Sequence, residues 1–181
     1  SKKFNILSVG RISKIKDYET LIKAVGILKD GGLDFRLKIV GRPVMPYDFE
    51  YFEKLKLIVK ELKLTDFIEF AGFVPYSQIH SYYKEADIFI NLAPKGGIDK
   101  AVLEAMASGS LVLVSNEVFK KYLGEYDLFF KQGDPEDLAE KIIKLINLPN
   151  EEIKNITKFL FQSVSQNHNL ENLIVKLADL F

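Results

Sequence analysis

Six short apolar runs punctuate the chain: Phe4–Val9, Phe35–Val40, Phe67–Phe70, Ile88–Ile90, Leu111–Val114 and Leu128–Phe130. None alternates strictly between apolar and polar, so each reads as a strand buried on both faces. Between them, apolar residues recur at helical spacing. Leu21, Ile22, Ala24, Val25 and Leu28 mark a helix that Asp17 can cap and Gly31-Gly32 ends. A loop with Pro43 and Pro46 leads to a helix over about Phe49–Leu62. Ser77 is placed to cap a helix bearing Ile79, Tyr82, Tyr83 and Ala86. Another helix opens at Asp99-Lys100 and stops at Ser108-Gly109. A short helix is expected near Val118–Tyr122, and Gly133-Asp134-Pro135 starts one that runs to about Asn147, with Pro135 in a tolerated first-turn position. Beyond Pro149 the pattern predicts two terminal helices, about Glu151–Ser165 and Leu170–Leu180.

Strands that alternate with helices and carry no polar face predict a parallel sheet covered on both sides. The expected fold is a Rossmann-like, doubly wound α/β domain with a six-stranded parallel sheet. Right-handed crossovers then gather the loops after the strands along one edge, where such folds bind ligands. Those loops are Gly10–Asp17, Gly41–Asp48, Gly72–Ser77, Asn91–Lys100 and Ser115–Val118. At 181 residues and 48% hydrophobic content the chain can bury one core, and no linker or repeat divides it, so residues 1–181 read as one domain.

Charge and composition narrow the function. Twenty-five basic residues balance twenty-five acidic ones, which disfavours a nucleic-acid partner, since that footprint needs a clustered basic excess. The lack of cysteine excludes thiol catalysis and disulfides. His80 and His168 lie far apart in sequence and read as structural or exposed. No apolar run approaches the length of a membrane span and no signal peptide is visible. The start, Ser1-Lys2-Lys3, is that of a processed or excised piece of something longer.

The richest segment is Pro94–Gly109, a glycine-containing loop running into a helix. A helix N-terminus offers free N–H groups and a positive dipole end to an anion. Asp99 reads as the cap of that helix. Lys100 in the first turn opposes the dipole, a mismatch that a bound diphosphate would relieve. Glu104 has two readings: an exposed glutamate pairing with Lys100 four residues back, or a buried carboxylate that needs a hydrogen-bonding partner. Its neighbours Leu103, Ala105, Met106 and Ala107 favour burial, and ligand hydroxyls such as those of a ribose suit it. On the first loop Arg11, Lys14 and Lys16 are either solvated charge or a phosphate clamp; their place at the ligand edge favours the clamp. Phe73 either borders a base or packs in the core. Tyr82, Tyr83 and Phe89 read as core, and Met45 and Met106 as packing residues. The G-x-G-x-x-G, P-loop and H-E-x-x-H patterns are absent, as is a serine or cysteine elbow with a placed histidine. Chemistry here would rest on electrostatic stabilisation of a leaving phosphate.

Taken together, these residues resemble a known family. Val9-Gly10-Arg11 with Lys16 and Leu21–Ala24, Lys38–Gly41, Ile68–Pro75, Tyr83–Ile90, Leu103–Gly109 and Gly133–Ala139 are similar to the C-terminal, donor-binding half of retaining GT-B glycosyltransferases, the group-1 type that includes glycogen synthases. The likeness covers nearly the whole chain, and Leu103-Glu104-Ala105-Met106-Ala107-Ser108-Gly109 is its most specific part. It implies a hexosyltransferase of polysaccharide biosynthesis that uses a UDP-sugar or GDP-sugar and no metal or other cofactor. Arg11 and Lys16 would be catalytic, holding the diphosphate and neutralising charge as the glycosyl bond breaks. Glu104 would bind the ribose, backbone N–H groups near Lys100 and Ala101 a phosphate, and Gly72, Phe73 and Val74 would flank the base. Gly10, Gly97 and Asp99 complete the implied donor site.

The pattern also departs from the family. Its two glutamates, E-x7-E, place the first eight positions before Glu104, where Gly96 stands; that glutamate contacts the transferred sugar. Asp99-Lys100 replaces the usual small and apolar residues. The family further implies an N-terminal acceptor domain as partner, absent from this chain. It also implies a cytoplasmic protein with peripheral membrane association at the inner face through that other half. The isolated chain is then expected to bind donor but transfer sugar poorly. A non-catalytic nucleotide-sugar-binding module is the alternative, in which Gly96 marks lost catalysis. An epimerase would need an acid and a base that the sequence does not place.

Overall fold

The computed structural model describes residues 3–94 and 96–167. In chain order its elements are β1 Phe4–Val9, α1 Tyr18–Asp30, β2 Phe35–Val40, α2 Pro46–Glu61, β3 Ile68–Gly72, α3 Tyr76–Glu85, β4 Ile88–Asn91, α4 Lys100–Ala107, β5 Leu111–Val114, α5 Lys120–Leu123, α6 Pro135–Ile146 and α7 Asn150–Asn167. The five strands are parallel and lie in the order β3-β2-β1-β4-β5. β1 runs in full register with β2, from Phe4 opposite Phe35 to Val9 opposite Val40, and flanks β4 through Ile6 opposite Ile88.

The continuous apolar runs explain this sheet. Leu37, Ile39, Ile88, Phe89, Ile90 and the whole of β5 are buried, so the faces are covered on both sides. Helices α1, α2 and α6 pack together, as do α4, α5 and α7. Right-handed crossovers place one group on each face.

The expected sixth strand is not formed as such. Leu128–Phe130 lies beside β5 through a single parallel bridge, Val114 opposite Phe129, with Val114 N–H donating to Leu128 O (3.1 Å) and Phe130 N–H to Val114 O (3.0 Å). Leu128 and Phe130 are buried as expected. The run is too short to pair further, because left-handed glycines at 124 and 133 turn the chain on either side of it. Helix α2 begins at Pro46, three residues before the expected start. Its proline occupies the first helical turn, where the missing N–H costs nothing. Ser77 does not cap α3; the helix starts a residue earlier and its N-cap, Pro75, offers no side-chain bond. The expected helix over 170–180, and His168, lie outside the described residues.

The loops after β1 and β2 are laced together. Gly10 N–H donates to Val40 O (2.9 Å) and Ile12 N–H to Arg42 O (3.1 Å). Gly41, at φ 144°, sits so close that a Cβ there would overlap the Gly10 carbonyl oxygen. Gly41→Ala is therefore expected to destabilise the fold by about 3 kcal/mol, combining backbone strain with overpacking. Urea unfolding of the variant measures it, and a loss below about 0.5 kcal/mol would show that the two loops separate freely.

Candidate functional site

The sheet order reverses at β1: the chain moves outward from it to β2 and β3, then returns to its other side at β4. Connections leave the ends of β1 and β4 toward opposite faces and open a crevice between them, the usual ligand position in such sheets. The segments following β1, β2, β3 and β4 meet there.

The β1 segment is shaped by Asp17. Its left-handed backbone (φ 47°), a conformation aspartate tolerates better than most residues, ends a helical turn at Lys14–Lys16 and starts α1. Its side chain accepts from Thr20 Oγ1 at 2.8 Å. This turn sends Lys16 across the crevice to Asp99, Nζ to Oδ2 at 2.6 Å. Asp99 caps α4 through Oδ1 on the Ala101 N–H (3.2 Å), and its Oδ2 also accepts from Asn91 Nδ2 (3.0 Å) at the end of β4. Burial pushes the Asp99 carboxyl up, but the Lys16 ammonium and the Asn91 and Ala101 donors outweigh it and hold it below its ordinary value. An ammonium carries three donors, so Lys16 can keep Asp99 and still meet an anion.

Beside this pair lie two hollows. One, of about 340 Å³, is lined by Gly10, Gly41, Phe73, Tyr76, Ala101 and Glu104, among others. The second, of about 320 Å³, is lined by Ile15, Lys16, Pro94, Gly96, Gly97 and Asp99, among others. At the first, Glu104 is buried, with Tyr83 Oη donating to Oε2 at 2.9 Å and Tyr76 Oη to Oε1 at 3.1 Å. Tyr83 is itself buried, whereas Tyr76 is half exposed. Burial pushes the Glu104 carboxyl above the usual range, against the lowering effect of both tyrosines. Burial and the same carboxylate push the Tyr83 hydroxyl up, so it remains a donor.

The structure thus brings Gly10, Lys16, Gly97, Asp99, Ala101 and Glu104 to one crevice, with Phe73 on its rim and Gly72 ending β3 beside it. Phe73 is 65% exposed, which excludes the core reading, and the Arg42 guanidinium lies over its ring at 5.1 Å. Arg11 is exposed on the β1 segment and faces Asp48, Nε to Oδ2 at 3.7 Å. Lys100 is exposed at the first turn of α4. Three details differ from expectation. Glu104 already has protein partners, and the Ala101 N–H is taken by Asp99. Met45, expected to pack, is exposed at the start of α2, while Met106 is buried. Tyr76, Tyr83, Asn91 and Asp48 were not singled out as site residues. For Tyr83 the signal was available: a buried tyrosine hydroxyl seeks a partner, and Glu104 was the buried acceptor in need of one.

Three side-chain oxygens are buried without a partner among the described residues: Ser13 Oγ, Asp48 Oδ1 and Ser115 Oγ. All stand after strand ends on this edge. Among the same residues, no cluster of three or more His, Cys, Asp or Glu side chains could hold a metal ion.

Fold and crevice together define a Rossmann-like domain with a ligand cleft at its switch point. The chain belongs to the glycosyl transferases group 1 family, which matches residues 1–159. It is 27% identical over 184 aligned positions to the putative colanic acid biosynthesis glycosyltransferase WcaL of Escherichia coli K12, covering 97% of this chain and 44% of that protein. The chain thus spans less than half the length of that curated relative. The C-terminal domain of the group 1 protein LpcC from Francisella tularensis superimposes with a TM-score of 0.80 at 25% identity, covering 91% of this chain and 85% of that one. Anabaena Alr3699/HepE, solved in complex with UDP-glucose, superimposes with a TM-score of 0.82 at 18% identity, covering 98% of this chain and 48% of that one. The architecture is that of GT-B glycosyltransferase domains.

The raised position of Glu104 fixes a sign. Its folded-state affinity for a proton exceeds the unfolded one, so the ionised form costs stability once the pH is above the raised folded value, and that cost vanishes below the unfolded value. Glu104→Gln keeps the shape without the charge. It is expected to melt at or above wild type at pH 8, with the difference shrinking toward pH 4. A variant that instead loses ground steadily from pH 4 to pH 8 would show that the two tyrosines more than offset the burial.

Proposed function

We propose that this chain is the donor-binding half of a retaining glycosyltransferase that takes a nucleoside-diphosphate sugar. The observation that carries the reading is the pairing of a buried, tyrosine-held carboxylate with a cation-bearing loop across one crevice. Glu104 suits the vicinal hydroxyls of a ribose: each oxygen already accepts one hydrogen bond and has capacity for another. The exposed Phe73 ring, with Arg42 over it, borders the mouth where the base would lie. Arg11 and Lys16 supply fixed positive charge toward the diphosphate.

The chemistry asked of these groups is electrostatic. As the bond from the anomeric carbon to the distal phosphate oxygen breaks, negative charge grows on the leaving nucleoside diphosphate. Positive groups already in place stabilise that charge without having to reorganise. The hollow beside Lys16, Gly96 and Gly97 is the place for the sugar. The donor would be a UDP-sugar or GDP-sugar and the acceptor a glycan or a lipid-linked one; UDP-glucose in HepE supports the UDP-sugar, and the polysaccharide named for WcaL supports the glycan. The acceptor would be held by a second domain, consistent with relatives more than twice as long, and the isolated chain would bind donor yet transfer poorly. Its place would be the cytoplasm, at the inner face of the membrane where that second domain attaches; no helix among the described residues is long and apolar enough to cross a membrane.

Binding tests the reading directly. At a hundredfold excess over Kd, UDP or GDP is expected to raise Tm by about 5–10 °C. Arg11→Ala, Lys16→Ala and Glu104→Ala should each weaken the affinity about tenfold or more, since each removes a charge-assisted contact. Failure of UDP, GDP and ADP alike to shift the melt at millimolar concentration would sink the donor-site reading.

A further inference from the structure

Asp48 is the carboxylate of this edge that the donor site has not absorbed. It is fully buried, at 0% exposure. Oδ2 accepts from its own loop, from Met45 N–H at 3.1 Å and Val44 N–H at 3.4 Å, at the start of α2. Oδ1 is buried with no partner among the described residues. An ionised carboxylate so placed needs a countercharge. Among the described residues the cation within ion-pair distance is Arg11, reaching over from the β1 segment.

The contact is made through Nε, the inner nitrogen of the guanidinium. The four Nη protons form the outer edge of the fork and remain for a second anion. The two loops cannot drift apart, because Ile12 N–H bonds to Arg42 O and Gly41 abuts Gly10. Asp48 therefore stands behind Arg11 on a rigid base. We infer that Asp48 is a positioning residue: it anchors Arg11 by Nε so that the outer edge of the fork faces the diphosphate of the donor. A partly exposed arginine without that anchor would sample many rotamers, and holding one of them on binding would cost affinity.

This rests on the donor-site reading, and the experiment separates the two. Binding of UDP and GDP is measured by calorimetry for wild type, Asp48→Asn, Arg11→Ala, Arg11→Lys and the double variant Arg11→Ala/Asp48→Asn. Uridine and guanosine, followed by ligand-observed NMR, serve as diphosphate-free controls. Asparagine can keep the two backbone bonds through its carbonyl oxygen while removing the charge. Asp48→Asn is expected to weaken diphosphate binding about threefold to fivefold, the scale of an ion pair at 3.7 Å that makes no hydrogen bond, and to leave nucleoside binding unchanged. In the Arg11→Ala background it should add nothing. Arg11→Lys leaves the buried carboxylate untouched, so it keeps the test open if Asp48→Asn fails to fold. Lysine replaces the rigid planar fork with a point charge on a flexible stem, so it cannot hold Asp48 and two diphosphate oxygens in the fork's fixed geometry and should lose diphosphate affinity like Arg11→Ala.

Several outcomes would overturn the inference. Tighter diphosphate binding by Asp48→Asn would mean that the carboxylate only attenuates Arg11. A fall in Tm with equal losses for diphosphates and nucleosides would mean that Asp48 only caps α2. Additive losses in the double variant, or full binding by Arg11→Lys, would equally break the link. Absence of nucleotide binding by wild type would instead sink the donor-site reading itself.

Discussion

Everything at the candidate site depends on where β1 sits. It is the central strand, hydrogen-bonded to β2 on one side and β4 on the other. Parallel strands and right-handed crossovers leave the chain no choice about which edge its strand-end loops occupy. The loops after β1 and β4 thus face each other across the one gap in the sheet order. The Lys16–Asp99 pair bridges that gap. It joins the segment after β1 to the cap of α4, and Asn91 ties the same carboxylate to the end of β4.

Three carboxylates stand within this small region, and each is held differently. Asp99 is ion-paired and hydrogen-bonded, and its acidity is increased despite its burial. Glu104 has only neutral tyrosine donors, and its acidity is reduced. Asp48 has backbone donors on one oxygen and pairs with the Arg11 guanidinium at 3.7 Å. A protein optimised for stability alone would replace such groups, since a buried charge with incomplete partners usually costs more than it returns. Concentration of these costs on one edge, together with the orphan oxygens of Ser13 and Ser115, is what a binding edge leads one to expect.

The fold was legible because its signal is long-ranged and redundant. Uninterrupted apolar runs such as Leu111–Val114 can be satisfied only by a sheet covered twice, and caps such as Asp17, Asp99 and Asp134 mark helix starts where they were expected. What failed was local. Leu128–Phe130 has the composition of a strand, but pairing depends on neighbours that the sequence does not specify. Ser77 looked like a cap because its chemistry suits one, yet Pro75 already directs the chain into α3. At the site, charged residues were legible by position in the strand-end loops. Their partners were not. Nothing in spacing says that Tyr76 and Tyr83, more than twenty residues before Glu104, converge on its two oxygens, or that Asp48 lies behind Arg11.

Gly96 is best understood from space. In the resemblance to retaining enzymes a glutamate stands at this position, and its replacement raises the question of what glycine is for. Glycine is often imposed by a left-handed backbone or a close neighbour, as at Gly41. Gly97 does not lie among the positive-φ glycines, and among the described residues a Cβ on Gly96 would meet its nearest atom at 3.9 Å and one on Gly97 would meet nothing within 4 Å. There is therefore room for a side chain at both positions. What two glycines do achieve is an open floor to the hollow beside Lys16, where Asp99, three residues on, is the carboxylate that lines it. Its oxygens already serve Lys16, Asn91 and the Ala101 N–H, so any further partner must share a carboxylate that is also the cap of α4. A ligand held by Asp99 at this end of the crevice would then be coupled to the integrity of the helix that carries Glu104, which a free glutamate side chain at position 96 would not require.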